Sequence, residues 1–191
     1  MVQTIHTSPY ITTASSDADI RGIKQLQDQN LKSALTPQEA AEQGFVTAVY
    51  SYDFLKEMNQ ITPAIIAKDH DTIAGYALAT TRAAGEKHHL LLELFNAIDS
   101  VNYNRQPLKC SDYLVAGQLC VAKSYRGQAL VQRMYNEMRK IYSPKFTYCI
   151  TDVAEENPRS LKAHLKSGFQ VVDTLHYGGI SWHIVLWDWN K

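Results

Sequence analysis

No apolar run in this sequence approaches the roughly 20 residues that a membrane-spanning helix needs. Its opening stretch, MVQTIHTSPY, has no basic segment leading into an apolar one. Neither a secretory leader nor a membrane partner is expected, and a cytoplasmic protein is. Charge of one sign is missing too: 19 Lys and Arg balance 19 Asp and Glu. No overall field therefore points to nucleic acid or anionic lipid as a partner. Cysteine is scarce. Cys110, Cys120 and Cys149 are odd in number and form no CxxC pair, which argues against a disulfide framework and suits a reducing compartment. His88 and His89 are adjacent and would leave a helix in different directions. No HExxH or Cys/His spacing of a zinc site occurs, so no metal is expected. A Gly-x-Ser-x-Gly elbow and a P-loop are absent as well.

What is present suits one domain spanning 1–191, with 45% apolar and 20% charged residues, long enough to bury a core without metals or disulfides. Ser16-Asp17-Ala18-Asp19 resembles a helix N-cap, followed by Ile20, Ile23 and Leu26 at helical spacing. Thr36-Pro37-Gln38-Glu39 is a clearer capping box, closed by Gly44. A short helix is expected over Asp53 to Asn59, and a hairpin over Pro63 to Lys68 and Thr72 to Thr80. Glu86 to Asp99 reads as a Leu-rich helix that either fills the core or covers a binding site. Then come a strand over Tyr113 to Ala122 and an amphipathic helix over Gly127 to Tyr142, with Leu130, Met134, Met138 and Ile141 on one side. A strand over Phe146 to Val153 and a helix over Pro158 to Ser167, stopped by Gly168, follow. Two last strands, Phe169 to Leu175 and Ile180 to Trp189, join across Gly178-Gly179. Cys120 and Cys149 fall on buried strands and read as small core residues. The strand-helix-strand unit is long enough for a right-handed parallel crossover, so a mixed α/β sheet is predicted.

The strongest chemical hint is Leu119-Cys120-Val121-Ala122-Lys123-Ser124-Tyr125-Arg126-Gly127. A buried strand ends and an Arg-Gly pair opens a helix, whose free N–H groups and dipole make an anion site. The same segment also reads as a plain strand-to-helix turn with a surface arginine. A second segment, Asn157-Pro158-Arg159-Ser160-Leu161-Lys162-Ala163-His164-Leu165-Lys166-Ser167-Gly168-Phe169, resembles the helix pattern Asn-x-x-Ala-x-x-x-Tyr-x-x-x-Gly-Phe of the GNAT (GCN5-related) N-acetyltransferases. With the upstream turn at a suitable separation, Leu114 to Trp189 is similar to the acetyl-CoA-binding half of that superfamily.

The resemblance implies a mixed, mostly antiparallel twisted sheet with helices on both faces and two central parallel strands splayed around acyl-CoA. It implies acetyl-CoA as co-substrate. Backbone groups of Leu119, Cys120 and Val121 would bond the pantetheine and acetyl carbonyl. Amides from Gln128 through Ala129 and Leu130 to Val131 would cradle the pyrophosphate, with Arg126 and Gly127 at the turn. Asn157 would contact the cofactor arm, and Ser160 and His164 lie on its side of the helix. The family's turn usually reads Arg-Gly-x-Gly-x-Gly/Ala. Here Ala129 and Val131 replace two small positions, at little cost if Ala129 has helical φ and Val131 points into the core.

His164 stands where many of these enzymes place a tyrosine as proton donor to the CoA thiolate. An imidazole can also donate, with an unperturbed pKa of about 6.5 against about 10. Flanked by Leu161 and Leu165, His164 equally reads as a hydrogen-bonded core residue. Gln118 occupies a place where a glutamate base is often found, and it cannot take a proton. Asp152 is the nearest carboxylate by sequence logic, open as a base or as a turn residue. The expected activity is N-acetylation of a small-molecule amine in preference to a protein, by direct attack, in a monomer or homodimer. A catalytically weak acyl-CoA-binding or regulatory module is the alternative.

Overall fold

The computed structural model describes residues 8–191, so part of the opening stretch read above lies outside the described residues. The chain runs β1 (Tyr10–Thr13), α1 (Asp17–Asn30), α2 (Pro37–Gln43), α3 (Tyr52–Ile61), β2 (Ile65–Asp69), β3 (Thr72–Thr80), α4 (Arg82–Gly85) and α5 (His89–Ser100). A two-residue pair follows, β4 (Asn102–Tyr103) and β5 (Gln106–Pro107). Then come β6 (Tyr113–Val121), α6 (Leu130–Tyr142), β7 (Tyr148–Ala154), α7 (Pro158–Lys166), β8 (Gln170–Tyr177) and β9 (Ile180–Asp188). Among the described residues, no helix is long and apolar enough to cross a membrane.

Local chemistry sets the helix starts. The Ser16 hydroxyl accepts from the Asp19 amide at 3.2 Å while Asp19 accepts from the Ser16 amide at 3.1 Å, a reciprocal capping box. Thr36 and Glu39 repeat the device on α2. Gly168 ends α7 at φ +104°, where an added Cβ would lie 2.6 Å from the Trp187 ring nitrogen, so only glycine fits there.

One sheet carries the fold, in the order β1-β2-β3-β6-β7-β9-β8. Within it β6 and β7 are parallel and the other neighbouring pairs antiparallel, the mixed sheet the sequence predicts. α6 packs Met134, Tyr135 and Met138 on one face against Ala74, Leu114 and Cys149. α1 and α3 cover the other face, with Ile20, Ile23, Leu55 and Met58 against Ile66, Tyr76 and Leu78. On that same side α5 lays Leu94, Phe95 and Ile98 over Val115, Ile150 and Ile184.

Several expectations change. α6 begins at Leu130 instead of Gly127, because Lys123–Tyr125 forms a 3-10 turn and Ala129 takes a left-handed conformation before the helix. Ile141 is 37% exposed, and Tyr135 and Tyr142 fill the buried face in its place. β1, α4 and the β4–β5 pair were not foreseen from the sequence.

Candidate active site

β6 and β7 pair at Tyr113–Tyr148, Leu114–Cys149 and Val115–Ile150 and then part. The Thr151 hydroxyl donates to the Ala116 carbonyl at 2.7 Å as a last stitch. Beyond it the strands follow different neighbours: β6 stays with β3 as far as Val121, and β7 with β9 as far as Ala154. A wedge opens between them. A bulge helps to set what faces it. Leu78 pairs with Gln118 but Ala79 with Ala116, leaving Gly117 as the extra residue of β6. Such an insertion reverses the side-chain alternation, so Leu114 and Ala116 reach the α6 face before it and Leu119 and Val121 after it.

Backbone direction also alternates along a strand. The Ala122 amide donates to the Ala74 carbonyl on β3 at 2.9 Å, so Cys120, two residues back and opposite Tyr76, also turns its amide to β3. The Leu119 and Val121 amides therefore face the wedge. This corrects the expectation for Cys120, whose backbone belongs to the sheet. Its side chain is buried, and burial pushes the thiol up to about 12.

On one side of the wedge lies a cleft of about 560 Å³. Leu119, Cys120, Val121, Arg126 and Gly127 line it, as do Ala129, Leu130, Val131 and Ser160; the predicted Gln128 and Asn157 do not. Gly127 has φ +82° and open space where a side chain would stand. Ala129 has φ 55°, so the condition for little cost there, a helical φ, is not met, and a Cβ sits in a region that glycine favours. No side chain caps α6, leaving its first-turn amides open to an anion. The Arg126 guanidinium does not reach freely for a ligand. It donates to the Val121 carbonyl at 3.1 Å, to Gln43 at 2.6 Å and to Asn30 at 3.1 Å, clamping α1 and α2 to the end of β6. Arg159, Lys162 and Lys166 of α7 supply further positive charge along the cleft. The thin, uncharged pantetheine arm of acetyl-CoA suits the unpaired strand amides, and its anionic phosphates suit the uncapped helix start and the four cations.

A second cleft of about 130 Å³ shares Phe45, Val46, Leu119 and Ser160 with the first. The Leu-rich segment fills core, with Leu91 and Leu94 buried, and Leu90, Leu91 and Leu94 also line this cleft together with Trp182 of the C-terminal strand. Asn157 lies on this side, already engaged. It accepts from the Ser160 amide at 3.2 Å and donates to the Phe45 carbonyl at 3.0 Å, which ties the segment dividing the clefts to α7.

His164 is buried with both nitrogens occupied. Nδ1 lies 2.8 Å from the Ser160 carbonyl and Nε2 2.8 Å from the Tyr135 hydroxyl. A carbonyl only accepts, so this network puts the proton on Nδ1 and makes Nε2 an acceptor. Burial lowers its pKa to about 4. The imidazole thus has no spare proton for a departing thiolate, and its bonds suit the core role. Gln118 is a structural node. Its Oε1 accepts from the Tyr76 hydroxyl at 2.6 Å and from Gln27 at 3.0 Å, and its amide donates to the Ala48 carbonyl at 2.8 Å.

Asp152 opens onto the second cleft, where the Tyr177 hydroxyl donates to it at 2.5 Å. Burial raises its carboxyl to about 6, against the opposing bond from Tyr177. Tyr50, Tyr135 and Tyr177 escaped the sequence reading, since none lies in a motif and only the tertiary fold brings them here.

No family model and no curated protein sequence matches the chain. Solved structures do. A GNAT-family acetyltransferase from Streptococcus agalactiae 2603 superposes with TM-score 0.65 at 16% identity over 94% of each chain. The yncA protein of Salmonella typhimurium, with its cofactor acetyl-CoA, gives 0.61 at 11% identity over 97% of this chain and 96% of that one. The NatC complex bound to Gag peptide and CoA gives 0.63 at 13% identity over 95% and 99%. At such identities the likeness speaks for architecture, and the chain has the fold of the GNAT acetyltransferases.

Proposed function

We propose that the chain, acting as a single domain, transfers the acetyl group of acetyl-CoA to a primary amine of a small molecule. The observation that carries this reading is the wedge between β6 and β7. It presents the Leu119 and Val121 amides between a cleft lined by Arg126, Arg159, Lys162 and Lys166 and one holding Asp152. The solved structures of this fold that hold acetyl-CoA or CoA support the choice of co-substrate. In this reading the pantetheine lies in the wedge, its phosphates at the start of α6. A strand amide facing the thioester carbonyl stabilises the oxyanion as the amine attacks. The narrowness of the second cleft favours a small acceptor, although one structure of similar fold is bound to a peptide.

A weak acyl-CoA-binding module of the same fold is the second reading, favoured by the left-handed Ala129 and the occupied nitrogens of His164. Thermal unfolding followed by an assay of released thiol separates them. Acetyl-CoA at about 100 times its Kd stabilises the fold by about 2.7 kcal/mol, and each kcal/mol moves Tm by roughly 2–4 °C. A shift with acetyl-CoA but not AMP, plus amine-dependent thiol release, supports transfer. A shift without release supports the binding module, and no shift at millimolar acetyl-CoA defeats both.

A further inference from the structure

We propose that Asp152, positioned by Tyr177, is the catalytic base of the second cleft, and that its acceptor is a cationic primary amine on an apolar body with no carboxylate beside the nitrogen. The inference rests on the acetyl-transfer reading of the same wedge. Asp152 lies on β7 beyond the last residue that pairs with β6, so it borders the splayed region where the thioester would sit. Side chains alternate along β7: Cys149 and Val153 enter the core under α6, and Ile150 packs under α5. Asp152 shares the Ile150 side, where Leu90, Leu94 and Trp182 line the cleft.

No lysine or arginine lines that cleft, and none of the ion pairs among the described residues includes Asp152. Every titratable group facing it is neutral or acidic. Tyr177 on β8 donates to its Oδ2. Tyr50 spends its hydroxyl on the Gly117 carbonyl at 3.2 Å. His164 on α7 is neutral with both nitrogens bonded. Glu93 on α5 lines the same cleft, 3.4 Å from where a Cβ on Gly178 would stand. A carboxylate in apolar surroundings with no countercharge is costly unless an opposite charge arrives. An alkylammonium supplies that charge, its body resting on the leucines and Trp182. An acceptor with its own carboxylate would bring a third negative group beside Asp152 and Glu93, a repulsive arrangement that excludes it.

The step balances without a further reactant. The ammonium gives one proton to the Asp152 carboxylate. The neutral nitrogen forms the C–N bond as the C–S bond breaks, its second proton passes to the CoA sulfur, and Asp152 returns its proton to solvent. Tyr177 touches no reacting atom and acts as a positioning residue: its bond favours the ionised carboxylate.

The test uses the full chain with 2-phenylethylamine and phenylalanine, which differ by the carboxylate. Each is added in thermal unfolding with and without CoA, and with acetyl-CoA in an assay of released thiol. Expected is a rise in Tm with the amine and none with the amino acid, and loss of the rise in Asp152→Asn while the acetyl-CoA shift persists. Turnover in that variant falls by about 100-fold. Wild-type kcat/KM should fall on the acid side with an inflection near the carboxyl's value of about 6, and Tyr177→Phe should move the inflection to higher pH. The proposal is overturned if Asp152→Asn keeps the amine response and the pH profile, if the two probes act alike, or if the amine gives no rise at all. A missing acetyl-CoA shift in the wild type instead defeats the acetyl-transfer reading, and the amine arm without CoA still decides on Asp152.

Discussion

His164 and Asp152 pull the stability of the protein in opposite directions as pH changes. The histidine has a folded pKa of about 4, below its ordinary 6.5. Its contribution is therefore present above pH 6.5 and lost as pH falls towards 4. The aspartate has a folded pKa of about 6, above its ordinary 3.8. Its contribution is present below pH 3.8 and lost as pH rises through 6. The two effects oppose each other between pH 4 and 6, so variants reveal them better than the wild-type profile. Asp152→Asn should be more stable than wild type at pH 7.5, by on the order of 1 kcal/mol for a partly solvated group, with the gain vanishing near pH 4 in denaturant titrations. His164→Phe leaves the Tyr135 hydroxyl and Ser160 carbonyl without their partner. It should cost about 1–3 kcal/mol at pH 7.5, less at pH 5, with its effect on turnover following stability. Ala129→Gly acts on the backbone. It relieves a left-handed alanine at φ 55°, a conformation costing about 1–2 kcal/mol, partly offset by the greater freedom of glycine when unfolded. A net gain of about 0.5–1 kcal/mol is expected from denaturant titration, with tighter acetyl-CoA binding by calorimetry.

At the scale of elements, β6 is the strand on which the site depends, and Gln118 pins it. That side chain joins β6 to α1 through Gln27, to β3 through Tyr76 and to the 46–50 segment through the Ala48 carbonyl. Gln118→Leu strips all three and should cost about 2–4 kcal/mol, more than one lost bond, because buried partners are left unsatisfied; chemical denaturation would measure it. Legibility followed the range of the interactions. The boxes at Ser16 and Thr36 were readable because each closes over three residues, and the stop at Gly168 because one φ demands it. The start of α6 was misplaced by three residues: Gly127 reads as a helix opening, but the 3-10 turn after β6 delays it. β1 was missed because four residues at a sheet edge carry too little pattern. The splay was legible only through family resemblance, since its cause is that β6 and β7 have different partners in space. The Asp152–Tyr177 pair spans 25 residues, and nothing in the local sequence around Tyr177 announces it.

Across the whole molecule the charges sum to zero, yet they are sorted between the two clefts. Arg126, Arg159, Lys162 and Lys166 line the larger one, and Glu93 and Asp152 the smaller. Net charge read from the sequence therefore hid a local polarity that suits an anionic co-substrate entering from one side and a cationic amine from the other. Arg159, Lys162 and Lys166 are more exposed than Arg126, so salt should screen them while the clamp around Arg126 persists. With a Debye length of about 10 Å at 0.1 M ionic strength and about 3 Å at 1 M, acetyl-CoA should bind on the order of tenfold more weakly at the higher salt. The unliganded Tm should change far less, because apolar packing on both faces of the sheet holds the fold. Calorimetric titrations at the two ionic strengths would measure this. A salt-independent Kd would assign the affinity to the strand and helix amides, and a Kd that weakens only when Lys162 and Lys166 are present would assign it to α7.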